Sequence, residues 1–430
     1  MSARLRILLV GGGGREHALT WKLAQSPRVD RLYCAPGNAG IAQQAECVDL
    51  SPVDLDALAD FAEAESIGLT VVGPEAPMAA GIVDVFQQRG LRVFGPTRSA
   101  AVLESSKIWA KEIFAKYDIP SACFISFDDP QEAVSYVETQ TPPVVIKADG
   151  LAAGKGVTIA QTIEEATAAI REAMVDGAFG PAGRRILVEE YLEGPEISVF
   201  AICDGEHLFP LPAAQDHKRA RDGDRGPNTG GMGCYSPVPL LSDDLREEAM
   251  ASIMRPMAAA MAAENRPYVG CLYGGLILTE EGLKVLEFNC RFGDPEAQVI
   301  LPRLDADLVD LLEAAVEGGL PEEETVPESR AAVCVVMASG GYPGSYETGK
   351  LLNGLEEAAA MPDVMVFHAA TKATDEGIVT AGGRVLGVTG LGERVPQAIE
   401  TAYRAVDRIS FADAHWRTDI GRRAAQEAQT

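Results

Sequence analysis

The sequence predicts an α/β protein of three units, and three features carry that prediction. Short β-rich runs alternate with helical patterns through the first hundred residues. Two strong apolar strand runs lie close together at 272–278 and 283–288. An acidic, proline-punctuated stretch at 321–328 then precedes a last unit of ordinary domain size. The units that follow are 1–103, with a parallel, Rossmann-like sheet; 104–325, with a small lobe at about 121–195; and 326–430, α+β. A chain of 430 residues exceeds what one core supports.

In the first unit the runs 7–10, 31–34, 69–72 and 92–94 alternate with helical patterns at 54–66 and 79–89, the order of βαβ units in a parallel sheet. Residues 99–117 predict one amphipathic linking helix, ending at Ile119 and Pro120. The small lobe holds strands at 144–147 and 185–189, a glycine-rich loop at 150–156 and a helix at 163–174. A polar glycine-rich loop at 222–233 is too long and too particular to be a mere connector. In the last unit, strands are expected at 331–337, 364–368 and 384–388, and a helix at 395–408.

Charge and composition exclude several classes of function. The 37 basic and 63 acidic residues give a net charge of −26, which opposes attachment to nucleic acid or to anionic membranes. Eight cysteines with no CxxC pair argue against a zinc ribbon or a disulfide framework and fit a reducing cytoplasm. The apolar run 7–10 is too short for a signal sequence, and no stretch approaches a membrane span.

The first strand runs into Gly11, Gly12, Gly13 and Gly14, and a helical pattern follows. A glycine turn opening a helix offers unpaired N–H groups and a positive dipole end to an anion such as a substrate phosphate. The same glycines also suit a tight strand-to-helix turn that binds nothing. A dinucleotide site is disfavoured, because Glu16 takes the last glycine position of G-x-G-x-x-G and the second strand leads into Ala35-Pro36-Gly37-Asn38 without an acid for a ribose. At the end of another strand, Glu75 reads equally as an acceptor for a sugar hydroxyl or an amine and as a solvated turn carboxylate.

Lys147 ends an apolar strand, and Gly154-Lys155-Gly156 follows on a glycine loop. The spacing is not a Walker A motif, yet two lysines so placed suit a polyphosphate. The segment Glu189-Glu190-Tyr191-Leu192, with Glu196 beyond it, reads as an acidic turn or as a hinge able to meet a purine edge and a ribose. Glu287 and Asn289 stand two apart on a strand and so share a face, with Leu286 and Phe288 expected on the other. Two oxygen donors side by side suit magnesium, and Arg291 next on that face offers a fork to a carboxylate or phosphate.

The order Lys147, Lys155 loop, hinge and Glu287-x-Asn289 resembles an ATP-grasp enzyme. Longer strings, among them Gly14-Arg15-Glu16-His17-Ala18, Gln215-Asp216-His217-Lys218-Arg219, Gly226-Pro227-Asn228-Thr229-Gly230-Gly231-Met232-Gly233 and Glu287-Phe288-Asn289-Cys290-Arg291-Phe292-Gly293-Asp294, resemble the glycinamide ribonucleotide synthetase family. The resemblance implies an ATP-grasp fold and the ADP-forming joining of glycine to 5-phosphoribosylamine through glycyl phosphate, in purine biosynthesis. It implies ATP held by Lys107, Lys147, Lys155, Glu189, Glu190, Tyr191, Leu192 and Glu196, and Mg²⁺ or Mn²⁺ held by Glu287 and Asn289. Substrates would meet Gly11, Gly12, Gly13, Gly14, Asn38, Glu75, Asp216, Thr229, Gly230 and Arg291, with Lys155, Arg291 and Asp216 as the catalytic set. Asp216 is expected to receive the glycine ammonium. His17 and His217 are expected only to hydrogen-bond. A monofunctional cytoplasmic monomer, at most a weak homo-oligomer, completes the expectation. Rival classes are an ATP-grasp enzyme using formate or bicarbonate, a nicotinamide oxidoreductase and a silent ATP-binding regulator.

Overall fold

The computed structural model describes residues 4–152, 156–321 and 330–427. Ile7, Leu8, Leu9 and Val10 are all fully buried, so β1 (Leu5–Gly11) is covered on both faces, as a central parallel strand must be. Around it β2 (Val29–Pro36), β3 (Glu46–Cys47), β4 (Leu69–Val72) and β5 (Val93–Phe94) form a parallel sheet in the order β3-β2-β1-β4-β5. The order reverses between β1 and β4, which opens a crevice at the carboxyl ends of the strands, where the loops after β1, β2 and β4 meet.

The single linking helix expected over 99–117 is instead two, Val102–Ser105 and Lys107–Lys116, broken at Ser106 (φ −139°, ψ 105°). Ser106 caps the second helix by accepting from Trp109 N. Asp149, which follows the small lobe's second strand, accepts from Ile108 N at 2.9 Å through its carboxylate and from Lys107 N at 2.9 Å through its carbonyl. A tertiary partner thus starts the helix where periodicity alone would continue it.

The small lobe is an antiparallel sheet of β6 (Phe124–Phe127), β7 (Val144–Ala148), β8 (Val157–Ala160) and β9 (Ile186–Glu190), in the order β6-β9-β7-β8. Val144, Ile146, Ile186 and Val188 pack under the helices Pro130–Val137 and Ile163–Met174. Strand alternation therefore turns Lys147 and Glu189 to the opposite face, towards the central sheet.

Eight antiparallel strands build that sheet: β10 (Glu196–Asp204), β11 (Leu208–Asp216), β14 (Gly233–Ser236), β15 (Val269–Thr279), β16 (Gly282–Asn289), β17 (Ala331–Ala338), β18 (Val364–His368) and β21 (Arg384–Gly392). The short hairpins β12 (Arg219–Arg221) with β13 (Arg225–Asn228), and β19 (Thr371–Thr374) with β20 (Gly377–Thr380), stand outside it. Its order is β16-β15-β10-β11-β14-β17-β21-β18, so β14 pairs with β17 and the C-terminal strands continue the central sheet. The C-terminal strands are thus joined to the central unit edge to edge through the β14–β17 pair. Nothing local announces β14, a four-residue strand between a glycine loop and Pro237. The reading also passed over β10 and β11, whose residues are buried nearly end to end and lack the alternation that marks a half-exposed strand. Helices Ala297–Arg303 and Leu308–Glu317 share one core with Ile7 and Leu9 of the parallel sheet and with Phe200 and Ile202 of the large one, and so lock the two sheets together. Among the described residues no helix is long and apolar enough to cross a membrane.

Candidate active site

The crevice begins at the glycine loop. A Cβ on Gly12 would lie 2.5 Å from the Gly37 carbonyl oxygen, so two backbones close on each other there and only glycine fits. Glu16, the residue that breaks the dinucleotide pattern, folds back and accepts from Gly13 N at 2.6 Å, while Arg15 Nε donates to its other oxygen at 2.7 Å. One of the loop's amides is thereby committed to the chain itself. Gly14 and Arg15 open the helix Gly14–Leu23 and aim its positive end into the crevice. Asn38 belongs to the framework: its Nδ2 donates to Gly12 O (2.9 Å) and His368 O (2.8 Å), and its Oδ1 accepts from Gly40 and Ile41.

Glu287 and Asn289 lie opposite Gly275 and Tyr273 in unbroken register, so both face the same way, as their spacing requires. Between Val285 and Glu287 the register shifts, because Leu276 pairs with Val285 and Gly275 with Glu287. This bulge changes the parity of the strand, and the expectation that Leu286 shares the face of Phe288 is corrected. Val285 and Phe288 pack into the core, Leu286 is half-buried, and the Leu286 carbonyl accepts from Lys147 Nζ at 3.2 Å. Lys147 also pairs with Glu189 at 3.0 Å, and Lys111, on the helix Lys107–Lys116, pairs with the same Glu189 oxygen at 3.2 Å. Burial alone would raise the Glu287 pKa, but Lys218, Lys107, Lys147 and Arg291 outweigh it and hold this carboxylate below its usual range.

The donor set fits a hard cation. Among the described residues no group of three or more His, Cys, Asp or Glu side chains gathers as a metal site, and a carboxylate beside an amide oxygen leaves room for phosphate oxygens and water. Arg291 follows on the same wall, tied to Glu75 at 3.2 Å, Glu104 at 3.2 Å and Asn289 Oδ1 at 3.2 Å. Glu75 is therefore an ion-pair partner held below its usual pKa, since Arg291 and Arg15 overcome its burial. Through it the crevice of the parallel sheet meets β16.

A second group of charges lies at the ends of β10 and β11. Lys218 pairs with Glu196, while buried Glu296 accepts from Tyr273 OH at 2.8 Å and Ser198 Oγ at 3.3 Å. Burial pushes Asp216 up to about 7, aided by Glu296 and Glu196 and opposed by Lys218. Thr229 binds back to the Lys218 carbonyl, and Gly230 N donates to Tyr342 OH at 3.1 Å, so the polar loop is fastened to the turn that follows β17. Glu189 and Glu190 end β9, residues 191–193 belong to no helix or strand, and β10 starts at Glu196, so this segment does connect the small lobe to the central sheet. Lys107 Nζ reaches Gly150 O at 3.3 Å. Lys155 lies outside the described residues. Sequence reasoning missed Lys111, Glu104, Lys218 as a charge partner, Glu296, and Arg384, which donates to Gly230 O at 2.6 Å and Asp294 O at 2.7 Å. Each acts through a partner remote in sequence.

The chain matches all three domain profiles of phosphoribosylglycinamide synthetase: the N domain over residues 5–104, the ATP-grasp (A) domain over 105–297 and the C domain over 332–423. A phosphoribosylamine–glycine ligase of Escherichia coli is 50% identical over 99% of this chain and 100% of its own length. The chain belongs to the phosphoribosylamine–glycine ligase family. Another member, from Pseudomonas aeruginosa, is 48% identical over 98% of both chains. The crystal structure of the family member from Thermotoga maritima is 32% identical, covers 96% of this chain and all of that one, and superposes with a TM-score of 0.84. The family is one of ATP-grasp ligases, so the chain is an enzyme of that fold, and ATP-grasp enzymes use ATP with a divalent metal.

Proposed function

We propose that the chain joins glycine to 5-phosphoribosylamine at the expense of ATP, giving glycinamide ribonucleotide, ADP and phosphate, a step of purine biosynthesis, by way of glycyl phosphate. The observation that carries this reading is one wall on which Lys147, Glu287, Asn289 and Arg291 meet Glu75 from the glycine-loop crevice. A polyphosphate site and a phosphate-accepting crevice thus share an edge.

A carboxylate is a poor electrophile, and phosphorylation supplies the leaving group. Lys107 and Lys147 bind the ATP phosphates, residues 189–192 meet the adenine, and Glu196 serves the ribose. Glu287 and Asn289 would hold Mg²⁺ or Mn²⁺, which would offset the phosphate charge. Arg291, fixed by Glu75 and Glu104, faces the glycine carboxylate or the transferring phosphoryl group. Asp216 receives the glycine ammonium, and the helix start at Gly14 and Arg15 receives the ribosylamine phosphate. The small lobe, joined to the central sheet through residues 191–195, closes on ATP and excludes water that would hydrolyse the acyl phosphate.

The test is ADP release with glycine and phosphoribosylamine supplied together and singly. The reading requires turnover dependent on both; ADP release supported by formate or bicarbonate in place of glycine would overturn it.

A further inference from the structure

Lys111 belongs to no assigned site, yet it is one of the most deeply placed lysines of the molecule. Its side chain is 3% exposed and that of Glu189 2%, on the inner face of the small lobe. Its Nζ lies 3.2 Å from Glu189 Oε2, 3.1 Å from the Ala122 carbonyl and 6.0 Å from the centre of the Phe124 ring. Lys147 Nζ lies 3.0 Å from that same Glu189 oxygen. Glu189 Oε1 is buried without a hydrogen-bond partner, so both cations crowd one oxygen.

A single lysine beside a single buried carboxylate is a neutral pair and projects little field. A second lysine on that carboxylate leaves the trio with one uncompensated positive charge. Burying an extra ammonium is costly unless its charge is used. We propose that Lys111 is a positioning residue for nucleotide binding: it neutralises Glu189, so that Lys147, fixed between Glu189 and the Leu286 carbonyl at the strand bulge, keeps its charge for the polyphosphate. This rests on the reading of Lys147 as an ATP-binding residue.

Burial brings the Lys111 ammonium down to about 8, opposed by Glu189 and Glu190 of β9 and assisted by Lys147 of β7. Lys284 of β16 acts on Glu190 in the same cluster. Deprotonation of Lys111 above about pH 8 leaves Lys147 and Glu189 as a neutral pair, so ATP binding weakens there.

The experiment is direct calorimetric titration of the full chain with ATP, without glycine or ribosylamine, from about pH 6.5 to about pH 9.5. Wild-type affinity should fall as the pH passes about 8. Lys111→Met should bind ATP about tenfold more weakly at neutral pH, with no such break. Lys111→Arg, charged throughout, should bind near wild-type strength and stay flat to the top of the range. A Lys111→Met variant within about twofold of wild type, or a break near pH 8 that survives in Lys111→Arg, would overturn the assignment. Should Lys111→Met fail to fold, the wild-type and Lys111→Arg profiles decide between these outcomes. Binding is read without turnover, so failure of the ligase reading, seen as absent ADP release, is a separate result.

Discussion

At the scale of the residue, charge and burial pull Glu287 and Asp216 in opposite directions. Glu287 stays ionised because four cations act on it, and an ionised carboxylate beside Asn289 is what a hard cation requires. Glu287→Gln keeps the shape and removes the charge. Metal affinity should drop by at least the roughly 10–100-fold that losing even an outer hydrogen-bond partner of a metal ligand costs. Turnover at limiting magnesium should fall with it, recover in part at high magnesium, and leave the melting temperature nearly unchanged. Near-wild-type turnover at limiting magnesium would remove the metal site from this strand. Asp216 behaves otherwise, since burial lifts it to about 7. Its charge, and with it the attraction for a glycine ammonium, should be lost as the pH falls through that value. KM for glycine should therefore rise on acidification, whereas Asp216→Asn should show a high, flat KM. A variant that retains the wild-type pH dependence would return Asp216 to the framework.

Elements are set partly by partners outside them. The helix Ile163–Met174 starts as its sequence says, with Thr162 accepting from Glu165 N. The helix Lys107–Lys116 depends in addition on Asp149, whose carboxylate serves Ile108 N, Ser106 Oγ and Arg185 together. Asp149→Ala leaves a buried N–H without an acceptor, at a cost of about 1–3 kcal/mol. Removing the exposed cap with Thr162→Ala should cost about 1 kcal/mol. Thermal melts of the two variants should rank in that order, and Asp149→Ala should also raise KM for ATP, because Lys107 hangs on the same junction. Equal melts would mean that the helix start is indifferent to its tertiary cap. The β16 bulge follows the same logic. The pair Glu287 and Asn289 was legible because it lies beyond the bulge, while the orientation of Leu286 was not, because one inserted residue reverses parity.

Over the whole molecule, the two ends of the chain meet at a pair of buried histidines. His17 Nδ1 accepts from His368 N at 2.7 Å, and a Cβ on Gly40 would strike both rings. Burial, followed by the neighbouring His368, takes His17 down to about 3, and burial takes His368 to about 4. Both pKa values lie below the unfolded value of about 6.5, so the unfolded chain takes up protons first as the pH falls. The stabilising contribution of the neutral pair is therefore complete above about pH 6.5 and is lost progressively towards about pH 3. His217, brought down to about 4 by burial and then by Arg417, adds to the same slope. Melting temperature should decline from neutral pH to about pH 5, and His17→Gln, which cannot titrate, should decline less steeply. An identical slope in that variant would place the acid sensitivity elsewhere.

The sequence by itself determined the parallel N-terminal sheet, the β15–β16 pair, the placement of Glu287 and Asn289, and the family. These rest on short apolar runs, on turns and on contiguous strings, all read within a few residues. Only the tertiary structure decided that β14 carries the central sheet into the C-terminal strands, that Asn38 and Glu16 are engaged by the chain itself, and that Lys111 shares Glu189 with Lys147. His17 and His368 are 351 positions apart, and Asn289 and Arg291 only two, yet each pair is a direct contact. Local physics specifies the second kind of contact; the first exists only once sheets and helices have packed, because nothing in the neighbouring residues encodes a partner so distant.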